Sequence, residues 1–174
     1  MKKIKLILIC FFLFSCRSYI DKKSVDTEHL ELKTFGEYNC FISKPKINIK
    51  SDGVTYKVKP FSLNLPKNIK SWEISTNEYY FEYRDKQVIL IYLDFKNDKF
   101  DDKWTIENVE NKEIHDMLYA FWSRNNHPEE FLYESNKNRI SKIYSNEGVK
   151  ILLYNIKKKK LDEYINAIKT FKYR

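Results

Sequence analysis

Two close pairs of carboxylates, Asp101 with Asp102 and Glu129 with Glu130, are the residues of this chain best suited to acid and base chemistry. Hydrolysis of a glycan or lipid needs one such group to give a proton and another to take one. No further feature of the sequence places a second group beside Glu129 and Glu130, so catalysis is neither required nor excluded. The densest oxygen cluster, Asp94 to Asp102, suggests calcium, but it lacks the glycine and the closing glutamate of an EF-hand loop and contains lysines. A solvated acidic loop fits it better. A metal site from Glu113, His115 and Asp116 would need one shared helix face, and neighbouring helical residues diverge by about 100°; no metal is expected. His29 falls in a polar stretch, and His127, just before Pro128, reads as a helix C-terminal cap. Glycine occurs only at positions 36, 53 and 148, which excludes a P-loop, a dinucleotide fingerprint and a nucleophile elbow. No catalytic set and no cofactor is assigned.

Two stretches suggest binding instead. Lys157, Lys158, Lys159 and Lys160 form a basic run that suits anionic lipid headgroups, at up to about 1 kcal/mol per lysine near a charged surface; a solvated turn is the competing reading. Tyr79, Phe81 and Tyr83 share one face of a strand and would make an aromatic platform for a glycan or peptide, unless they pack in the core. Alanine appears only at Ala120 and Ala167 while lysine, asparagine, isoleucine and tyrosine abound, as in an AT-rich coding sequence. Basic and aromatic residues are therefore weak signals when taken singly.

The N-terminus carries an address. Lys2, Lys3 and Lys5 precede the apolar run Leu6 to Phe14, which is too short for the roughly 20 residues that span a bilayer and is followed by polar residues from Arg17. That is a signal peptide over residues 1–15. Leu13-Phe14-Ser15-Cys16 resembles the lipobox of bacterial lipoproteins, although Phe14 is bulkier than the family's usual residue there. The resemblance implies cleavage before Cys16, lipid on its thiol and attachment of the exported protein to a membrane. The alternatives are an ordinary secretory signal with a chance cysteine and an N-terminal membrane anchor. Losing 15 residues with three lysines and no acid takes the net charge from +8 to +5. Such modest charge on an exported protein argues against nucleic acid as a partner. With Cys10 removed and Cys16 lipidated, Cys40 has no partner for a disulfide, and its strand-like surroundings predict a buried, inert thiol.

Residues 16–33 then read as lipidated Cys16 and a flexible tether, with an r.m.s. span of roughly 20–25 Å, and residues 34–174 as one globular domain. Alternating or apolar segments predict strands over 37–42, 46–50, 54–58 and 61–65, with Ser51-Asp52-Gly53 as a turn. Tyr79 to Tyr83 leads through the turn-like Asp85-Lys86 into Val88 to Leu93, which is apolar on both faces and belongs mid-sheet. A hairpin is expected from Arg139–Tyr144 and Val149–Ile156. Ile114, Met117, Leu118, Phe121 and Trp122 form one helical stripe, with Asn111 as its N-cap; Leu161, Tyr164, Ile165, Ile168 and Phe171 form a second.

These elements predict an α+β fold, a largely antiparallel sheet packed with two amphipathic helices. Phe61 to Pro66 followed by Trp72, and a last helix running into Phe171, resemble the corresponding parts of PsbP-like and Mog1-like sandwich domains. That resemblance implies a fold and a tendency to bind partners, and it brings no active site. The expected function is a membrane-anchored envelope lipoprotein with a non-catalytic, protein-binding domain, acting as an accessory or immunity factor. The alternatives are an envelope hydrolase using Asp101, Asp102, Glu129 and Glu130, and a carrier of a small ligand. Cys16→Ser should release the protein from membranes on fractionation; continued membrane attachment would overturn the lipid anchor.

Overall fold

The computed structural model describes residues 25–45, 48–51, 53–75, 77–95, 103–132, 137–146 and 148–174. The predicted signal peptide, Cys16, and the pair Asp101 and Asp102 lie outside the described residues. In chain order the first strands are β1 (Val25–Asp26), β2 (Leu30–Thr34), β3 (Tyr38–Ser43), β4 (Asn48–Ser51), β5 (Val54–Lys57) and β6 (Phe61–Pro66). They are followed by β7 (Ser71–Ile74), β8 (Glu78–Glu82), β9 (Val88–Leu93) and β10 (Thr105–Asn108). Helix α1 (Asn111–Arg124), β11 (Arg139–Asn146), β12 (Val149–Lys157), α2 (Leu161–Ile168) and β13 (Lys172–Tyr173) complete the chain. The α+β class predicted from periodicity is the class observed, with two main sheets in place of one. A five-stranded sheet has the order β1-β2-β3-β6-β13, a six-stranded sheet the order β10-β11-β12-β9-β8-β7, and β4-β5 form a separate hairpin. Every pairing is antiparallel.

Alternation along the strands dictates the layers. On β9, Ile89, Ile91 and Leu93 face the five-stranded sheet while Val88 and Leu90 face α1. On β12, Val149, Ile151 and Leu153 take the first side, and Leu152 and Tyr154 the second. The inter-sheet core adds Leu32, Phe41, Phe61, Leu63 and Leu65 from the first sheet and Tyr164, Ile168 and Phe171 from α2 and the residues after it. The outer core is closed by Ile114, Leu118, Phe121 and Trp122, the stripe expected of α1. Tyr80 stacks on Phe121 with ring centroids 4.6 Å apart.

Several boundaries differ from the sequence reading. Within the stretch expected to be a tether, Val25–Asp26 and Leu30–Thr34 are strands of the first sheet. Leu30 and Leu32 supply the inward face, while Glu31, buried between them in sequence but on the outer face, is ion-paired with Lys33 and Lys44. Asn111 is the first residue of α1 and Glu110 precedes it as the cap residue, without a side-chain cap bond. His127 closes α1 with its backbone N–H, which donates to the Trp122 carbonyl at 3.0 Å, while Asn125 Nδ2 donates to the Phe121 carbonyl at 2.9 Å. Cys40 is partly buried on β3 and carries no disulfide.

Phe61 sits at the centre of the inter-sheet core, 4.9 Å from the Tyr79 ring and 5.1 Å from Phe171. Its truncation removes contacts to both sheets and the C-terminal segment at once. Phe61→Ala should destabilise the fold by about 3–5 kcal/mol in urea denaturation, whereas Ile106→Ala, on the exposed strand β10, should change it by less than about 0.5 kcal/mol.

Candidate functional site

The loops at one end of the sandwich bring together cations that are far apart in sequence. β2 ends and β3 begins there, Tyr38 pairs with Pro66 at the end of β6, Glu82 pairs with Val88 across the β8–β9 turn, and Arg139 pairs with Lys157. The polar connections beyond these pairs line two adjoining concavities. The first, of about 260 Å³, is bounded by Lys67, Asn68, Arg84, Asp85, Gln87, Lys157 and Lys160, with the rings of Tyr83 and Tyr164 beneath. The second, of about 520 Å³, is lined by Asn138, Arg139, Lys157, Lys158 and Lys159. Among these described residues, seven cations surround a single carboxylate, Asp85.

Backbone geometry rather than glycine shapes this basin. Asn68, Asp85, Lys86 and Asn155 have φ values of 67°, 58°, 55° and 55°, in the left-handed region that side chains rarely adopt. Asp85 and Lys86 are the central pair of the β8–β9 turn, where two successive positive φ angles match the twist of the strands they join. Asn155 is the extra residue of a bulge in β12: Ile140 pairs with Ile156 and Lys142 with Leu153. Its side-chain amide donates to the carbonyls of Asp85 at 3.0 Å and Lys86 at 3.2 Å, and its own carbonyl accepts from Arg139 Nη1 at 3.0 Å. Gln87 fastens the opposite wall, its Oε1 accepting the Lys157 backbone N–H at 3.0 Å. The bulge thus locks the β8–β9 turn to the end of β12.

Charge in the basin is unevenly compensated. Lys157 hydrogen-bonds Asp85, and Arg139 Nη2 lies 3.8 Å from the same carboxylate. The Lys157 bond, with the fields of Lys157, Arg139 and Arg84, holds the Asp85 carboxyl below the usual range against weak desolvation. Asp85 is consequently ionised and steadies two cations. Lys158 and Lys159 are exposed in a short 3-10 turn before α2, and Lys160 lies 3.6 Å from Glu163. Such an arrangement attracts anions and presents several N–H donors to them.

The predicted basic run Lys157 to Lys160 is therefore part of a larger site, whose members Lys67, Arg84 and Arg139 were not singled out by the sequence. The predicted aromatic platform is corrected: Tyr79, Phe81 and Tyr83 are 3%, 0% and 2% exposed, because their strand faces the other sheet. Tyr79 shares a hydrogen bond of 3.0 Å with Ser43 in the core. Glu129 and Glu130 are exposed in a 3-10 turn, with Glu129 Oε1 3.7 Å from His115 Nε2. Among the described residues no three histidine, cysteine or carboxylate groups converge as metal ligands.

One further polar cluster lies beside the basin. Glu82, 2% exposed, accepts from Lys70 Nζ at 2.7 Å and Ser71 Oγ at 2.9 Å, and His127 Nε2 lies 3.4 Å from it. Burial pushes the His127 imidazole below its ordinary pKa, and Lys70 and Lys86 add to that against the pull of Glu82. Here the carboxylate stands between hydroxyl and imidazole. Nucleophilic catalysis needs the imidazole in the middle, so the cluster serves to satisfy a buried carboxylate.

No family model, curated protein or solved structure matches this chain. The chemistry of the site therefore rests on its own geometry. Asn155→Ala should destabilise the protein by about 1–3 kcal/mol through left-handed strain and lost bonds to the turn, and Asn155→Gly by less, because glycine keeps the backbone conformation; chemical denaturation of both variants measures the difference.

Proposed function

We propose that this chain is a lipid-anchored envelope protein whose sandwich is a non-catalytic binding module for an anionic partner. One observation carries the reading: seven cations from four separate segments converge on two concavities lined, among the described residues, by one carboxylate. Scattered surface lysines in a basic chain would be interspersed with acids, as they are along β2, where Lys33 meets Glu31. At the basin the one lining acid is engaged by Lys157, and the lining cations outnumber it. The lipobox-like Leu13-Phe14-Ser15-Cys16 supports placement at a membrane. No helix among the described residues is long and apolar enough to cross one.

The tightly filled cores on both sides of the six-stranded sheet favour surface binding over carriage of an apolar ligand, since β9 and β12 bury side chains on both faces. Among the described residues every buried core residue falls between positions 30 and 171, and the proposed cleavage removes residues 1–15, so the tests use the chain from Arg17 onward. Polyglutamate is a suitable probe of the basin. The chain from Arg17 should bind it with an affinity that falls steeply with salt, at least tenfold more weakly in Lys158→Glu/Lys159→Glu, and more tightly in Asp85→Asn. Equal binding by all three proteins in calorimetric titration would remove the basin as the ligand site.

A further inference from the structure

Resting on that reading of the basin, we infer that the basin end of the sandwich is a membrane-docking face, on which lysines and arginines take phosphate headgroups while Phe35 and Tyr38 enter the bilayer interface.

Three independent features meet at this end. The first is the direction of the chain. Val25 pairs with Leu32 and Asp26 with Glu31, so β1 runs away from the end of β2 where the basin lies and its first residue is the one nearer that end. Eight residues lie between Cys16 and Val25, and a link of that length reaches at most roughly 30 Å. A lipid on Cys16 would therefore tether the domain within that reach of the start of β1, which opens from the basin side.

The second feature is an aromatic pair. Phe35 and Tyr38, at the β2–β3 turn, are 45% and 39% exposed and stack on each other with centroids 5.2 Å apart. Lys67 ties this turn to the basin, its Nζ donating to the Phe35 carbonyl at 3.0 Å. Exposed aromatic rings beside cations match the interfacial zone of a membrane, where rings sit at headgroup level and lysines reach phosphates. Glu37, in the same turn, is an exposed acid that the surrounding cations outnumber.

The third is the concavity itself. Its 260 Å³ are walled by Lys67, Arg84 and Lys160, which gives room and N–H donors for one phosphodiester at a time. A flat basic patch would attract a charged surface equally well; a cavity adds a place for a headgroup to enter. An acidic protein would satisfy the cations, but it would leave unexplained why the aromatic pair lies on the same side.

The test uses the chain from Arg17, without lipid, and vesicles of phosphatidylcholine alone or with one third phosphatidylglycerol. Co-sedimentation should occur with the anionic vesicles only. Lys158→Glu/Lys159→Glu should weaken it at least tenfold, while Lys59→Glu/Arg174→Glu, an equal charge change at the opposite end of the sandwich, should leave it within twofold. Phe35→Ser/Tyr38→Ser should weaken vesicle binding several-fold without altering polyglutamate binding. Polyglutamate binding without vesicle binding would make the partner an acidic protein, overturning the membrane assignment but not the basin. Saturation by millimolar inorganic phosphate at constant ionic strength, again without vesicle binding, would assign a soluble phosphate and also overturn it. Binding to none of the three probes would overturn both readings.

Discussion

The burial of β9 and β12 on both faces is the constraint on which the rest of this structure depends. Neighbouring strands that are apolar all round cannot stop at one layer, since either uncovered face would leave branched side chains in water at roughly 1.5–3 kcal/mol each. The five-stranded sheet covers one face with Leu32, Phe41, Phe61, Leu63 and Leu65, and α1 covers the other. The topology follows from that demand. β13 comes last in sequence yet pairs with β6, and α2 drops Tyr164 and Ile168 into the inter-sheet core on the way there. The C-terminal segment thereby joins the two sheets, with Phe171 stacked on Phe61 at 5.1 Å.

Two full cores leave polar chemistry to the ends of the sandwich, and the ends are unequal. At the basin end the connections carry Lys67, Arg84, Arg139 and the lysines from 157 to 160. Mutual repulsion of these charges is moderated by water, but it opposes the packing of their loops. Neutral bonds offset it: Asn155 to the β8–β9 turn, and Gln87 to the backbone of Lys157. Asp85 stands where two strands end, so one carboxylate pins Lys157 and draws in Arg139. The walls are held by amide bonds, which salt does not screen as it screens ion pairs.

What the sequence made legible followed from periodicity, and what it hid followed from convergence. β9 was readable because six consecutive apolar residues have no other use, and α1 because Ile114, Leu118, Phe121 and Trp122 share one stripe. β10 was not, since all four of its residues are exposed and its strand character comes from backbone bonds to β11. β2 was lost in a polar stretch because only two leucines mark its inward face and the carboxylate between them is buried by pairing with lysines. The Tyr79, Phe81 and Tyr83 stripe was recognised as one face of a strand, but only the second sheet decides that this face points inward. The site behaves the same way. Lys157 to Lys160 can be seen as a run, whereas Lys67, Arg84 and Arg139 are single cations in a lysine-rich chain and acquire meaning only when the strand order places their loops together.

Tethering changes what such a basin has to accomplish. A free basic protein must find its anionic partner from solution, and exposed cations contribute only modestly to that. In the proposed arrangement the lipid already confines the domain to the membrane, so the basin need not recruit; it needs only to favour one orientation over others, and a few kcal/mol shared among several lysines suffices. The same confinement explains why few aromatic residues are enough. Phe35 and Tyr38 would be a poor anchor alone, but beside Lys67 they add a contact that charge by itself does not supply. Orientation then decides function, because turning the basin toward the bilayer presents the opposite end of the sandwich to the aqueous side.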